Sequence, residues 1–185
     1  MSDKAKTELR RAYLKKRRLL AQDSSRTSKI IELLEREILT RGWTHIASYS
    51  AIRGEVDLSS LHTSQNLSQV SWYLPKIVDK KRGLMEFYPM KADLKENSYG
   101  ILEPVGEDAI APERLNAMLV PCLGVSKIGC RLGYGGGFYD RYLVKARQLK
   151  TTGVCFQDLC QCPVEKENHD QLLHAVAHEK AIQYF

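Results

Sequence analysis

Gly129-Cys130-Arg131-Leu132-Gly133-Tyr134-Gly135-Gly136-Gly137-Phe138-Tyr139-Asp140-Arg141-Tyr142-Leu143 holds more information than any other stretch of this chain. Five of the 12 glycines fall inside it, and an aromatic pair, an aspartate and a helical pattern follow them. Glycine lets backbone N–H groups approach a phosphate closely, and the start of a helix adds donors and a positive dipole end. Arg131 can clamp a phosphate oxygen, and Asp140 can hold a divalent cation. The local reading is a nucleotide loop between a strand and a helix. The plain alternative is a glycine-rich surface loop that caps the next helix. Two familiar loops do not fit. A Walker loop would end in Gly-Lys-Ser/Thr, but Phe138 follows Gly137, and a dinucleotide fingerprint begun at Gly133 would need glycine where Phe138 stands.

Outward from this stretch, helical and β-rich segments alternate. Upstream, Ala117-Met118-Leu119-Val120 is an apolar run ending at Pro121, and downstream Phe138 to about Leu149 reads as a helix. Residues 4–21 form a first helix. Ser24, Ser25 and Thr27 offer N-caps to a second, with Ile30, Ile31, Leu33, Leu34 and Ile38 at helical spacing and Gly42 as its stop. Ile46 to Tyr49, Val70 to Pro75, Met85 to Pro89, Thr152 to Phe156 and Ala175 to Ala177 read as strands, and Asp57 caps a short helix to His62. Residues 91–113 are the most loop-like. The alternation predicts a single α/β domain over 1–185, with a mostly parallel sheet covered by helices on both faces. Ligands then bind beyond the carboxyl ends of the strands. Segments 49–55, 121–139 and 156–170 all follow strands and converge on that edge.

No apolar run approaches the roughly 18–20 residues that span a bilayer, and the first residues lead into a charged helix with no signal core. A cytoplasmic protein with five reduced cysteines is the expectation. Cys155, Cys160, Cys162 and His169 lack the paired spacing of a structural zinc site. Cys130, inside the glycine stretch, is expected to be open to oxidation but is not read as a catalytic thiol. The net charge of +6 is concentrated in Lys4, Lys6, Arg10, Arg11, Lys15, Lys16, Arg17 and Arg18. Without an aromatic-interleaved motif, this run reads as a solvated helix face rather than a nucleic-acid surface. His174 and His178 have metal-pair spacing for a helix, but their segment reads as a strand, so they are expected to face solvent.

The glycine stretch resembles the signature Gly-x-Arg-Leu-Gly-x-Gly-x-Gly-[Tyr/Phe]-Tyr-Asp of the 5-formyltetrahydrofolate cyclo-ligase family. Further similarities run in order along the chain: Lys6-Thr7-Glu8-Leu9-Arg10, Gly54-Glu55-Val56-Asp57, Tyr99-Gly100-Ile101-Leu102-Glu103-Pro104, Leu119-Val120-Pro121, Pro163-Val164-Glu165 and His169-Asp170. The resemblance implies an enzyme that uses ATP and Mg²⁺ to close 5-formyltetrahydrofolate to 5,10-methenyltetrahydrofolate. Its partners are small molecules, not nucleic acid or membrane, and it works as a monomer.

The resemblance also implies roles. The N–H groups from Leu132 and Gly133 through Tyr134, Gly135, Gly136 and Gly137 to Phe138 and Tyr139 receive the phosphates. Arg131 pairs with phosphate oxygens, and Lys6 and Arg10, one helical turn apart, contact ATP. Arg131, Tyr139 and Asp140 flank the reacting groups, and Asp140 and Asp170 hold magnesium. Ser50 and Glu55 contact the folate, with Tyr134, Gly136 and Phe138 beside it. Asn116, Val125-Ser126, His174 and His178 depart from the family's frequent residues. A non-catalytic folate or nucleotide binder on the same fold is the alternative, and the retained Asp140, Asp170, Lys6 and Arg10 speak against it.

Overall fold

The computed structural model describes residues 2–90, 94–97, 100, 102–106 and 108–185. Helix α1 spans Asp3–Leu20, and its Ser2 cap accepts the Ala5 N–H at 3.3 Å. Asp3 lies in its first turn and Arg17 and Arg18 in its last, which suits the helix dipole. Helix α2 spans Ser24–Arg41 and stops at Gly42, which has φ 63°. Its cap is Asp23, which accepts the Ser25 N–H at 3.1 Å, rather than any of the three hydroxyl residues that follow. Ile30, Leu34 and Ile38 recur every four residues and bury one face of α2.

The remaining elements are β1 (His45–Ala47), α3 (Ser59–His62), β2 (Ser71–Asp79), β3 (Leu84–Pro89), β4 (Leu94–Glu96), β5 (Leu102–Pro104), β6 (Ala117–Pro121), β7 (Gly124–Val125), β8 (Arg131–Leu132), α4 (Phe138–Lys145), β9 (Lys150–Val154), β10 (Ala175–His178) and β11 (Ala181–Tyr184). The main sheet has the order β11-β10-β9-β6-β1-β2-β3. Strands β10, β9, β6, β1 and β2 run parallel, while β3 and β11 close the edges antiparallel. This is the expected mostly parallel sheet, and helices cover both faces. The Trp72 ring of β2 meets His62 of α3 at 4.8 Å, whereas Phe87, opposite Pro75 of β2, meets Tyr142 of α4 at 4.9 Å. Residues 72 and 75 are an odd number apart, so α3 and α4 lie on opposite faces.

Several expectations change. Helix α4 ends at Lys145, short of Leu149, because the chain turns at Ala146, where the Leu149 N–H bonds the Ala146 carbonyl. Within the stretch read as loop, β4 and β5 form a hairpin that Glu103 ties to β2 by accepting the Ile77 N–H at 3.0 Å. Tyr99 and Ile101 of the motif around it lie outside the described residues. Asp57 accepts the Ser59 N–H at 3.0 Å at the start of α3. His178 is buried in β10, not solvent-facing, because the β11 hairpin covers that edge. His174 is exposed, with Nδ1 2.9 Å from the Thr151 hydroxyl.

Candidate active site

Because the central strands are parallel, their carboxyl ends share one edge, and α1 lies across it. Lys16 donates to the Asp158 carbonyl beyond β9 at 2.6 Å, and Arg17 donates to the Cys122 carbonyl just beyond β6 at 3.2 Å. Tyr13 packs on Gly124, where a Cβ would come within 2.8 Å of its ring. The loop after β1 is built for this approach. Arg53 (φ 51°) and Gly54 (φ 80°) reverse the chain, and a side chain at 54 would meet the α1 backbone at 3.2 Å. The reversal turns Glu55 inward, where its carboxylate accepts the Ile52 N–H at 3.0 Å.

The basic run of α1 is therefore not a uniformly solvated face. Arg17 is 1% exposed and Lys6 is also buried. Lys6, Arg10, Tyr13 and Arg17 are spaced by 4, 3 and 4 residues, which sets them on one side of a helix. Lys6 pairs with Glu167 at 2.6 Å and holds that carboxyl below its usual range. Arg10 Nε donates to the Gly133 carbonyl at 3.0 Å.

Residues 133–137, four of them glycine, run from β8 into α4. Gly137 has φ 66°, and among the described residues no side chain caps the start of α4. Arg131 donates to Asp140 at 2.8 Å, and its guanidinium lies 5.1 Å from the Tyr139 ring centroid. Burial raises the Tyr139 hydroxyl pKa well above its usual range. Asp140 also accepts the Gln171 N–H at 3.3 Å, which links α4 to the loop carrying Asp170. Asp170 accepts the Glu167 N–H at 2.7 Å. Cys130 is fully buried beside it, its thiol pushed up to about 11 by burial and the Asp170 charge, so it is not open to oxidation as expected.

On the other flank, Ser50 spends its hydroxyl on the Leu102 carbonyl at 3.1 Å. Tyr134 is exposed, with Arg17 and Arg53 at 5.5 and 5.6 Å from its ring centroid. Phe138 is half-buried and Gly136 exposed, its carbonyl bonded by Arg141. All five cysteines are free thiols. The ligand atoms that gather among the described residues belong to Glu167, His169 and Asp170, not to cysteines.

Residues 2–179 match the sequence model of the 5-formyltetrahydrofolate cyclo-ligase family. The chain belongs to that family. A 5-formyltetrahydrofolate cyclo-ligase of Haemophilus influenzae is 31% identical over 144 residues, 75% of each chain, and one of Escherichia coli is 32% identical over 125 residues, 65% of this chain and 68% of that one. The solution structure of Aquifex aeolicus 5,10-methenyltetrahydrofolate synthetase is similar over 97% of this chain and 92% of that one, with a TM-score of 0.83 and 28% identity. The chain is thus a cyclo-ligase by family, an enzyme of folate metabolism. No helix among the described residues is long and apolar enough to cross a membrane.

The cyclo-ligase edge contains two groups that the sequence reading left out of the site, Arg17 and Glu167. Arg17 could have been found by counting from Lys6: 11 residues are three helical turns. Glu167 carries no local signal beyond its place two residues before His169.

The donors available for a hard cation are carboxylate oxygens, as magnesium prefers. Asp170, with Glu167 and His169 gathered beside it, fits such an ion directly. Asp140 lies outside that cluster and is paired with Arg131, so it would have to exchange this partner to hold an ion.

Proposed function

We propose that this chain uses ATP to close 5-formyltetrahydrofolate to 5,10-methenyltetrahydrofolate, releasing ADP and phosphate. The formyl oxygen is a poor leaving group and N10 a weak nucleophile. Phosphorylating the formyl oxygen solves the first problem, and attack by N10 with loss of phosphate then closes the ring. The protein has to align the formyl oxygen with the γ-phosphate and stabilise charge during transfer. No covalent nucleophile is needed.

One observation carries this reading: a glycine segment at a helix start, flanked by Arg10 and Arg131, adjoins a buried carboxylate, Glu55, on the same sheet edge. The N–H groups of 132–139 receive the phosphates, and Lys6, Arg10 and Arg131 neutralise them. Lys6 and Arg131 are pre-positioned by Glu167 and Asp140. Glu55 accepts from the pterin N–H groups, Ser50 offers backbone beside it, and Tyr134, Gly136 and Phe138 wall the same space. Tyr139, whose ring lies against the Arg131 guanidinium, is assigned beside the reacting centre. Magnesium, held by Asp140 and Asp170, supplies charge neutralisation to the phosphates when bound.

We infer further that it acts as a monomer, a single domain over 1–185, on small molecules in the cytoplasm. The test mixes the purified protein with 5-formyltetrahydrofolate and MgATP and follows the near-ultraviolet absorbance of the methenyl product. A rise that requires both ATP and magnesium is expected. A flat trace from folded protein refutes the reading.

A further inference from the structure

We propose that Arg17 is a positioning residue of the cyclo-ligase reaction, which keeps Glu55 ionised and, through Tyr134, ties the phosphate loop to the folate pocket. The inference rests on the roles given above to Glu55 and to the glycine segment. Arg17 is the largest fully buried side chain of the described residues. A buried guanidinium is tolerated only where acceptors replace water. Here Nη1 donates to the Cys122 carbonyl at 3.2 Å and to Glu55 at 3.4 Å. Nη2 donates to the carbonyls of Ile52 at 3.4 Å and Arg53 at 3.2 Å, and to the Tyr134 hydroxyl. Nε has no partner.

Three segments far apart in sequence therefore meet on one side chain: the loop after β1, the residue after β6 and the glycine segment. A helix whose only task was packing would place an apolar residue there. The fork also reaches farther than a lysine point charge can. Tyr134 is its exposed end, so a shift of the glycine segment on binding ATP is felt at Glu55.

Glu55 is faced by Arg17 from α1, Tyr134 from the glycine segment, Tyr49 after β1, Cys122 after β6 and Tyr139 from α4. Burial pushes the tyrosine hydroxyls and the thiol up, so they stay neutral near neutral pH and Arg17 is the cation of this set. Burial raises the Glu55 carboxyl too, and Arg17 is the largest opposing influence.

The test measures KM for 5-formyltetrahydrofolate, KM for ATP and kcat between about pH 5.5 and 8.5, a range in which an unperturbed glutamate is ionised. Glu55→Gln, Arg17→Gln and Arg17→Lys are compared with the unmodified enzyme. Glu55→Gln should raise the folate KM. Arg17→Gln should give a folate KM that climbs about tenfold or more toward acid pH, since losing an adjacent cation moves a carboxyl by about one unit or more. Arg17→Lys should flatten that profile again, yet keep a raised ATP KM because the fork to Tyr134 is lost. A flat, unchanged folate KM in Arg17→Gln, with Glu55→Gln impaired, overturns the role of Arg17. An unchanged folate KM in Glu55→Gln overturns the pocket reading itself, and this inference with it. If Arg17→Gln does not fold, Tyr134→Phe tests the tie, because it removes one hydroxyl and leaves Arg17 in place. The KM values for ATP and folate should rise together, and a change in neither overturns the coupling.

Discussion

Gly124→Ala adds one methyl group at the seam where α1 crosses the strand ends. The backbone of Gly124 is not left-handed, so the effect is purely steric. The new Cβ would lie 2.8 and 2.9 Å from two Tyr13 ring carbons and 3.0 Å from the Cys162 Cβ. Neither neighbour is the free end of a flexible chain. Relief requires Tyr13, and with it α1, to move off the sheet edge by a sizeable part of an ångström. Overpacking of this kind costs about 1–3 kcal/mol. In a domain of this size each kcal/mol lowers Tm by about 2–4 °C, so a fall of about 2–12 °C is expected. The functional effect should be larger than the thermal one. Lys6, Arg10 and Arg17 ride on the displaced face, and a misplacement of about 1 Å can cost up to about a hundredfold in rate. Thermal unfolding by circular dichroism and methenyl absorbance would be measured together, with Tyr13→Leu and the double variant alongside. The double variant should recover stability relative to the sum of the single changes by at least about 0.5 kcal/mol. Unchanged Tm and KM in Gly124→Ala would refute the claim that close seating of α1 holds the site together.

Three further outcomes are expected. Burial lowers the His62 pKa from 6.5 to about 4, so the folded state favours the neutral ring. Stability from this group is complete above pH 6.5 and drains away as pH falls through about 4, by roughly 3 kcal/mol at 1.36 kcal/mol per unit. Urea midpoints at pH 7 and pH 4 measure this, and His62→Gln should lose that part of the pH dependence. Asp140→Asn should cut turnover by about a hundredfold or more while costing about 1–3 kcal/mol of stability, because the amide oxygen still accepts from Arg131 but the amide nitrogen cannot accept the Gln171 N–H. Single-turnover absorbance with a parallel melt checks it, and near-normal turnover would remove Asp140 from the reacting centre. Lys6→Met should raise the ATP KM about tenfold, the worth of one charge-assisted bond, and leave the folate KM nearly unchanged in a two-substrate titration.

What the sequence displayed and what it hid follow from how far each feature reaches. Helix α2 and strand β6 were legible because their apolar spacing is a property of consecutive residues. The glycine segment was legible because the backbone freedom it needs is written residue by residue. Strands β7 and β8, two residues each, are too short to show a period, and β11 is mostly exposed, so neither had an apolar signature. The second helix cap went to Asp23 over its hydroxyl neighbours because several adjacent residues could all accept a backbone N–H, and spacing alone does not rank them.

Arg17 was hidden for a different reason. Among eight basic residues of α1 its composition is ordinary, and what sets it apart is a ring of acceptors supplied by Ile52, Arg53, Glu55, Cys122 and Tyr134. Those acceptors exist at one place only because parallel strands bring their carboxyl ends to one edge. A left-handed turn at Arg53-Gly54 then lets α1 come within contact of that edge. A buried cation of this kind belongs to the topology rather than to any local motif. It can be read from sequence only in reverse, once the partners of Lys6 and Arg10 on the same helix face are known. The spacing that sets Lys6 against Glu167 and Arg10 against Gly133 carries Arg17 to Glu55, and α1 is therefore the element that joins the glycine segment to the loop after β1.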